Sequence, residues 1–154
     1  MPKLIKTPLT NIDIENYLYT HNCKYFKGVF SANTLPNVKP PFDLIVNLSN
    51  INELGSHFVT IIADNQYICY IDSFGLPCFI NDIFIFMNNF HLPILYNNLT
   101  IQHMYSKACG FYCILFVLYH NNVITKPITW YTNTELNDKL CLFFLKHEIK
   151  STTD

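Results

Sequence analysis

The chain has 154 residues, and its ten Lys and Arg against eleven Asp and Glu leave a formal net charge of −1. Hydrophobic residues make up 50% and charged residues 14%, which excludes a disordered chain and supplies enough apolar side chains for one packed core. No run of like charges indicates nucleic-acid binding, and no apolar run approaches the ~20 residues of a membrane span. We expect a single domain over residues 1–154 that acts as a monomer, with no membrane partner.

Six cysteines raise the question of a zinc site or of disulfides. No Cys-x-x-Cys pair occurs, and Cys109 and Cys113 lie one helical turn apart inside an apolar run. Residues 1–8 contain two lysines but no following apolar stretch, so they do not have the form of a secretory signal. We therefore expect no metal site, and we expect free thiols in a reducing, intracellular compartment.

The first predicted element is a helix that begins after the capping residue Thr10 and ends near His21. A loop with one glycine and several prolines is predicted from there to residue 41. Residues 42–48 are β-branched and apolar, which predicts a buried strand.

The next two strands are predicted to form a hairpin. Residues 57–63 and 66–72 are predicted to be strands and are separated by the turn pair Asp64-Asn65, which is typical of a tight hairpin. His57 begins the first of these strands and Asp72 ends the second. Antiparallel pairing therefore predicts that the two side chains lie at the same edge of the sheet.

The C-terminal half supplies the remaining elements of an α+β fold. Gln102 is predicted to lie on a short strand, and Cys109 is predicted to begin a central helix. The predicted architecture is an antiparallel-rich central sheet packed by helices, with the nucleophile at the N-terminus of the central helix. The other predicted elements are a helix over 80–91 that stops before Pro93, strands over 94–96 and 99–104, and a last helix over 134–149.

The chemistry is predicted to centre on Cys109. A thiol at a helix N-terminus experiences the positive end of the helix dipole, which favours its thiolate form. A nucleophilic cysteine also needs a base and a group that orients that base, and His57 and Asp72 are the candidates. Gln102, seven positions before Cys109, is the candidate oxyanion donor together with the backbone N–H of Cys109.

Each of these residues has an ordinary structural interpretation. A histidine beside a strand is usually structural, an aspartate at a strand end usually forms a turn, and a cysteine in an apolar helix usually belongs to the core. The set of four is more informative, because its members are placed at strand and helix ends and fill complementary roles. The pattern favours a thiol enzyme over a core cysteine.

These residues also carry a resemblance to the adenovirus protease (adenain) family, including relatives in adenovirus-like viruses and virus-like (Maverick/Polinton-type) transposons. Gly-Ser-His-Phe at 55–58 resembles the family's Gly-x-His-Trp, and Cys-Tyr-Ile-Asp-Ser-Phe-Gly at 69–75 resembles its Cys-Tyr-x-x-(Glu/Asp)-Pro-Phe-Gly. The stretch 102–110 resembles its Gln, six intervening residues, and Cys-Gly. The resemblance covers roughly residues 10–122.

The resemblance implies a cysteine endopeptidase that cleaves viral precursor proteins at Gly-containing sites during virion maturation, in the host nucleus, the cytoplasm or the virion. His57, Asp72, Gln102 and Cys109 would be catalytic. The residues that would contact substrate are Gly55, Ser56, Phe58 and Gly110, with Phe58 in place of the family's tryptophan.

The resemblance also implies two activators, a short viral peptide linked through a disulfide and DNA. The position that would match the linking cysteine falls at or near His91, and the chain is near neutral where adenain is basic. The residues themselves therefore require neither activator, and no other cofactor is expected.

Two alternatives stay open. The first is a Ulp-type deSUMOylating or deubiquitinating isopeptidase, since that related group shares the residue order and its common Asp-Ser-Leu-Gly is similar to residues 72–75. Its interval between Gln and Cys is typically one residue shorter than here. The second alternative is a non-catalytic interaction domain, against which the intact set of four residues argues.

Overall fold

A five-stranded sheet in the order β1-β2-β3-β4-β5 forms the centre of the chain. The computed structural model describes residues 8–49 and 57–147. The strands are β1 (Phe26–Ser31), β2 (Phe42–Asn47), β3 (Phe58–Ala63), β4 (Ile68–Ile71) and β5 (Ile94–Tyr96). The helices are α1 (Asn11–Tyr19), α2 (Asn81–Asn88), α3 (Cys109–His120) and α4 (Thr134–His147).

The fold belongs to the predicted α+β class, and its sheet is mixed. The three central strands β2, β3 and β4 pair antiparallel, as predicted, whereas β1 joins β2 and β5 joins β4 in parallel. Helix α2 connects β4 to β5, which is the usual crossover between parallel neighbours.

Helices cover both faces of the sheet. Strand β2 is buried on both sides, and its alternating side chains enter two different hydrophobic clusters. Ile45 faces the cluster built with α1, α3 and α4, while Leu44 and Val46 face the cluster that contains Ile83 and Met87 of α2. None of the helices within the described ranges is long and apolar enough to span a membrane.

Helix α3 is buried along most of its length and is tied to the sheet at its C-terminal end. The carboxylate of Asp43 on β2 is fully buried and is hydrogen-bonded to the ring of His120 and, at 2.6 Å, to Nδ2 of Asn121. Because a buried carboxylate needs such partners, this contact fixes the position of α3. The opposite end of the helix, where Cys109 lies, is positioned with it.

Two of the sequence predictions for individual elements are wrong. The predicted loop before residue 42 contains strand β1, whose pattern is interrupted by Gly28 at a φ of 133° and by a register shift between Phe26 and Val29. The predicted strand over 99–104 is absent, because this segment is hydrogen-bonded to the turn after β4 instead of to a strand. Ile101 N and Gln102 N both donate to the carbonyl oxygen of Ser73, at 2.9 and 3.0 Å.

Gly75 lies where that turn meets the 99–102 segment, and its replacement by alanine should destabilise the protein. Its φ is 73°, and a Cβ atom there would lie 2.8 Å from the carbonyl carbon of Leu99. Strain and overpacking together should lower the free energy of unfolding by roughly 2–4 kcal/mol in urea titrations. Replacing the neighbouring Leu76, which is 50% exposed, should change the free energy of unfolding by less than about 0.5 kcal/mol. Equal effects would show that the close approach at Gly75 is unimportant.

Candidate active site

The open end of the β3–β4 hairpin brings His57 and Asp72 together, as their positions in the hairpin predict. His57 Nε2 lies 2.8 Å from Asp72 Oδ1, and the aspartate is 2% exposed. The same carboxylate oxygen accepts a 2.8 Å hydrogen bond from the backbone N–H of Phe74. Because a carboxylate only accepts, the proton of this pair lies on Nε2, which leaves Nδ1 for a second partner.

That second partner is Cys109, whose thiol lies close enough to the His57 ring to raise the pKa of the imidazole. Cys109 is the first residue of α3, and no side chain caps the N-terminus of this helix. Phe111 N donates to the carbonyl oxygen of Ala108 at 3.0 Å, whereas the N–H groups of Cys109 and Gly110 precede the first intrahelical acceptor and add positive potential at the thiol. The thiol, the imidazole and the carboxylate thus lie side by side, with the imidazole hydrogen-bonded to the carboxylate.

The protonation of His57 follows from these contacts. Burial lowers the pKa of its ring, but the hydrogen bonds to Asp72 and Cys109 and their charges act in the opposite direction and raise it to about 9. His57 is therefore an imidazolium at neutral pH, which can stabilise a thiolate and later release a proton. This arrangement can perform nucleophilic thiol chemistry.

A titration of His57 should reveal this raised pKa directly. The NMR signal of its ring Cε1–H should shift with a midpoint near pH 9, well above the ordinary value of 6.5. Because the folded-state pKa is the higher one, the contribution of His57 to stability is fully present below pH 6.5 and is lost as the pH rises through about 9. A midpoint at or below 6.5 would show that burial outweighs the Asp72 and Cys109 contacts.

Two residues position this site although neither of them has a role predicted from the sequence. The side-chain amide of Asn97 binds the backbone of Asp72 at both groups, with Asp72 N donating at 2.9 Å and Nδ2 donating to Asp72 O at 2.7 Å. The ring of Phe74 stacks on the ring of His57 at a centroid distance of 4.8 Å. Phe74 belongs to the motif at 69–75, whereas no local pattern indicates a role for Asn97.

Gln102 is buried next to this series and is 1% exposed. Its Oε1 accepts a hydrogen bond from the hydroxyl of Ser73, the residue that follows Asp72. Its Nε2 lies 3.0 Å from the carbonyl oxygen of Ser106 and 3.2 Å from the Ser106 hydroxyl. Gln102, the fourth predicted catalytic residue, therefore contacts Ser73, the residue next to Asp72.

Side chains of helices α3 and α4 form hydrogen bonds in and around the segment that carries Gln102. Asn137, fully buried, donates from Nδ2 to the carbonyl oxygen of Ile101 at 3.0 Å. The Tyr112 hydroxyl lies 2.6 Å from Asp138 Oδ1, and the same carboxylate oxygen accepts from the N–H of His103 at 3.3 Å. A side-chain network therefore replaces the strand pairing that the sequence predicts here.

The residues predicted to contact substrate have different positions. The side chain of Phe58 is buried in the core with 8% exposure. A Cβ atom on Gly110 would lie 3.3 Å from Leu9 and 3.4 Å from Ile14, so the small residue permits close packing of α1 on α3. Their substrate contacts stay predictions. The remaining two, Gly55 and Ser56, lie outside the described residues.

Burial raises the pKa of each of the other five thiols, which disfavours their thiolate forms. Burial raises the pKa of Cys23 to about 12, with a smaller contribution from Asp43, and burial also raises the pKa of Cys78. Within residues 8–49 and 57–147, all six cysteines are free, and no group of three or more His, Cys, Asp or Glu side chains could hold a metal ion.

Comparisons with known proteins give limited similarity. No protein-family model matches the chain, and no curated protein matches it either. The crystal structure of the ASFV pS273R protease is similar over 72% of this chain and 44% of its own, with 17% identity and a TM-score of 0.48. The C-terminal Ulp1 protease domain in complex with Smt3, the yeast orthologue of SUMO, is similar over 70% of this chain and 54% of its own, with 17% identity and a TM-score of 0.37.

The chain thus spans about half the length of each of these solved proteins. With TM-scores below 0.5, neither likeness assigns the chain to a family, and the function must be argued from the site itself.

Proposed function

We propose that the protein is a cysteine endopeptidase that cleaves precursor proteins of a virus or virus-like element at Gly-containing sites during virion maturation. The observation that carries the peptidase part is the His57 ring, which is hydrogen-bonded to the buried Asp72 and whose pKa is raised by both Asp72 and Cys109, the first residue of α3. The support for viral precursors is the motif resemblance at residues 55–58, 69–75 and 102–110.

In the proposed reaction the Cys109 thiolate attacks the scissile carbonyl carbon. The S–C bond forms while the π electron pair of the carbonyl moves onto its oxygen. The pair then returns, the C–N bond breaks, and the His57 imidazolium gives its proton to the leaving amine. His57 next removes a proton from water, and the water oxygen adds to the thioester carbon. The C–S bond then breaks, the carboxylic acid product leaves, and the Cys109 thiolate and the His57 imidazolium are restored. Asp72 keeps the ring oriented and stabilises its charged form.

Gln102 and the backbone N–H of Cys109 would bind the oxyanion of the tetrahedral intermediate. One N–H bond of Gln102 Nε2 is directed to the carbonyl oxygen of Ser106. The second N–H bond of Nε2 would donate to the oxyanion and would then no longer contact the Ser106 hydroxyl. The exposed side chains of Met104 and Tyr105, on the loop before Cys109, would contact an extended polypeptide.

The proposed reaction needs no metal or organic cofactor, because thiol, imidazole and amide groups supply the nucleophile, the acid–base group and the oxyanion donor. Activation by a disulfide-linked peptide would require a cysteine near position 91, where His91 stands. Activation by DNA would require a basic surface, which a net charge of −1 does not favour. We therefore propose an enzyme that acts without either activator.

A second candidate function is a Ulp-type isopeptidase, which the Asp-Ser-Phe-Gly at residues 72–75 favours. The two candidates differ in substrate. An isopeptidase needs a surface for a folded ubiquitin-like domain, whereas a maturation protease needs a cleft for a flexible segment.

The test uses two fusion proteins with the same Gly-Gly-X junction, one in an unstructured linker and one after a folded ubiquitin-like domain. The proposed endopeptidase should cleave the unstructured junction at least about 10-fold faster in kcat/KM, with a Cys109→Ala control that cleaves neither. Preference for the folded domain would favour the isopeptidase. Cleavage of neither junction by the wild-type protein would contradict both.

A further inference from the structure

Consecutive residues of the turn after β4 hold the two halves of the candidate site. The Asp72 carboxylate holds the His57 ring, and the next side chain, Ser73, holds Gln102. The Ser73 hydroxyl lies 2.5 Å from Gln102 Oε1, and the two residues are only 2% and 1% exposed. Water is therefore a poor substitute for either partner.

The chemistry of the neighbours fixes the direction of this hydrogen bond. The carbonyl oxygen of Ser106 can only accept, so the Gln102 atom 3.0 Å from it must be the nitrogen Nε2. The atom that faces Ser73 is then Oε1, which can only accept, and the Ser73 hydroxyl must donate. Rotation of the amide by 180° would place two oxygens against each other at Ser106.

Ser73 also holds the backbone beneath this side chain. Its carbonyl oxygen accepts hydrogen bonds from Ile101 N at 2.9 Å and from Gln102 N at 3.0 Å. One serine thus fixes both the main chain and the amide of Gln102, while its neighbour Asp72 fixes the base. The turn after β4 and the 99–102 segment are joined by a further side-chain hydrogen bond, from the Thr100 hydroxyl to the carbonyl oxygen of Phe74 at 2.8 Å. This bond does not involve the Gln102 amide.

We infer that Ser73 is a positioning residue for oxyanion binding, which holds the Gln102 amide so that Nε2, with the N–H bond not directed to the Ser106 carbonyl oxygen, can donate to the oxyanion. This inference rests on the proposed function and names a residue that controls one half of its site. Loss of the Ser73 hydroxyl would leave Oε1 buried without a donor, and the amide would lose its fixed orientation.

Two reactions of Cys109 separate this role from activation of the thiol. With p-nitrophenyl acetate, the thiolate adds to the ester carbonyl, an oxyanion forms, and p-nitrophenolate leaves as the electron pair returns. With iodoacetamide, the S–C bond forms at a saturated carbon as iodide leaves, and no oxyanion appears. Ser73→Ala should slow acylation by about 10- to 100-fold while changing alkylation by less than about 2-fold.

Matched variants define the specificity of the effect. Ser73→Thr keeps the donor and should restore acylation to within about 3-fold of wild type. Thr100→Val removes a hydroxyl that joins the same two segments and should acylate within about 2-fold of wild type. Adding Ser73→Ala to Gln102→Ala should cause no further loss. Equal loss in Thr100→Val and Ser73→Ala, or an additive double variant, would overturn the inference.

The side-chain NH₂ signals of Gln102, identified by their absence in Gln102→Ala, give a readout that needs no activity. They should shift in Ser73→Ala and stay in place in Ser73→Thr. Unchanged signals in Ser73→Ala, with normal acylation, would overturn the role of Ser73 and leave the proposed function intact. A wild-type protein that is neither acylated nor alkylated, but whose Gln102 signals respond to Ser73→Ala, would instead contradict the proposed function.

Discussion

Replacing Cys109 by alanine should abolish peptide hydrolysis, with a loss of at least about 10⁴-fold in kcat, because no other group can form the thioester. The fold should persist, since the side chain, although buried in the core cluster, is small and lies at the start of α3. The measurement is cleavage of the unstructured fusion protein, together with urea unfolding of both proteins.

Cys78→Ala is the matched control. Cys78 is half-buried, and its thiol donates to the carbonyl oxygen of Ile80 with no histidine involved. Its loss should change hydrolysis by less than about 2-fold. Comparable losses in the two variants would show that the reactive thiol has been assigned wrongly.

Replacing Asp72 by asparagine should lower kcat by about 10³- to 10⁴-fold while keeping the shape of the side chain. The carboxylate now accepts from His57 Nε2–H, whereas an amide can present its own N–H there and reverse the ring tautomer. Asp72 is also one of the groups that raise the pKa of His57, so the midpoint of the His57 titration should move below its wild-type value near 9.

Asp64→Asn tests whether this effect belongs to Asp72 alone. Asp64 also follows a strand, and its Oδ1 accepts from the N–H groups of Gln66 and Tyr67 at 2.6 and 3.0 Å. It has no histidine partner among these hydrogen bonds, so hydrolysis should stay within about 2-fold of wild type. If both substitutions reduced kcat alike, Asp72 would be only another turn residue.

Local patterns were sufficient to predict the elements that carry the reactive groups. The hairpin was predictable because two strand-forming segments separated by the turn at Asp64 determine which residues are opposite each other, and this placed His57 beside Asp72. Helix α1 was predictable from Thr10 and Asp13, which form a capping box. The start of α3 at Cys109 followed from the change to a continuous apolar run.

Other parts of the site depend on contacts between distant segments and could not be predicted from local patterns. Strand β1 was missed because Gly28 and its register shift interrupt the alternation. The 99–104 segment has strand-like residues, yet hydrogen bonds to Ser73 and to α4 determine its conformation. Asn97 binds Asp72 across 25 positions, and an asparagine followed by another asparagine gives no local indication of that partner.

The most direct test of the central claim is the reactivity of Cys109 itself. The purified protein is labelled with iodoacetamide at pH 6 to 7, the modified cysteines are mapped by mass spectrometry, and His57→Ala is treated in parallel. Selective labelling of Cys109, at least about 10-fold faster than Cys23 and Cys78 and lost in His57→Ala, is the predicted result. Slow labelling spread over Cys23 and Cys78, or labelling of Cys109 that is indifferent to His57, would contradict an activated thiol at this site.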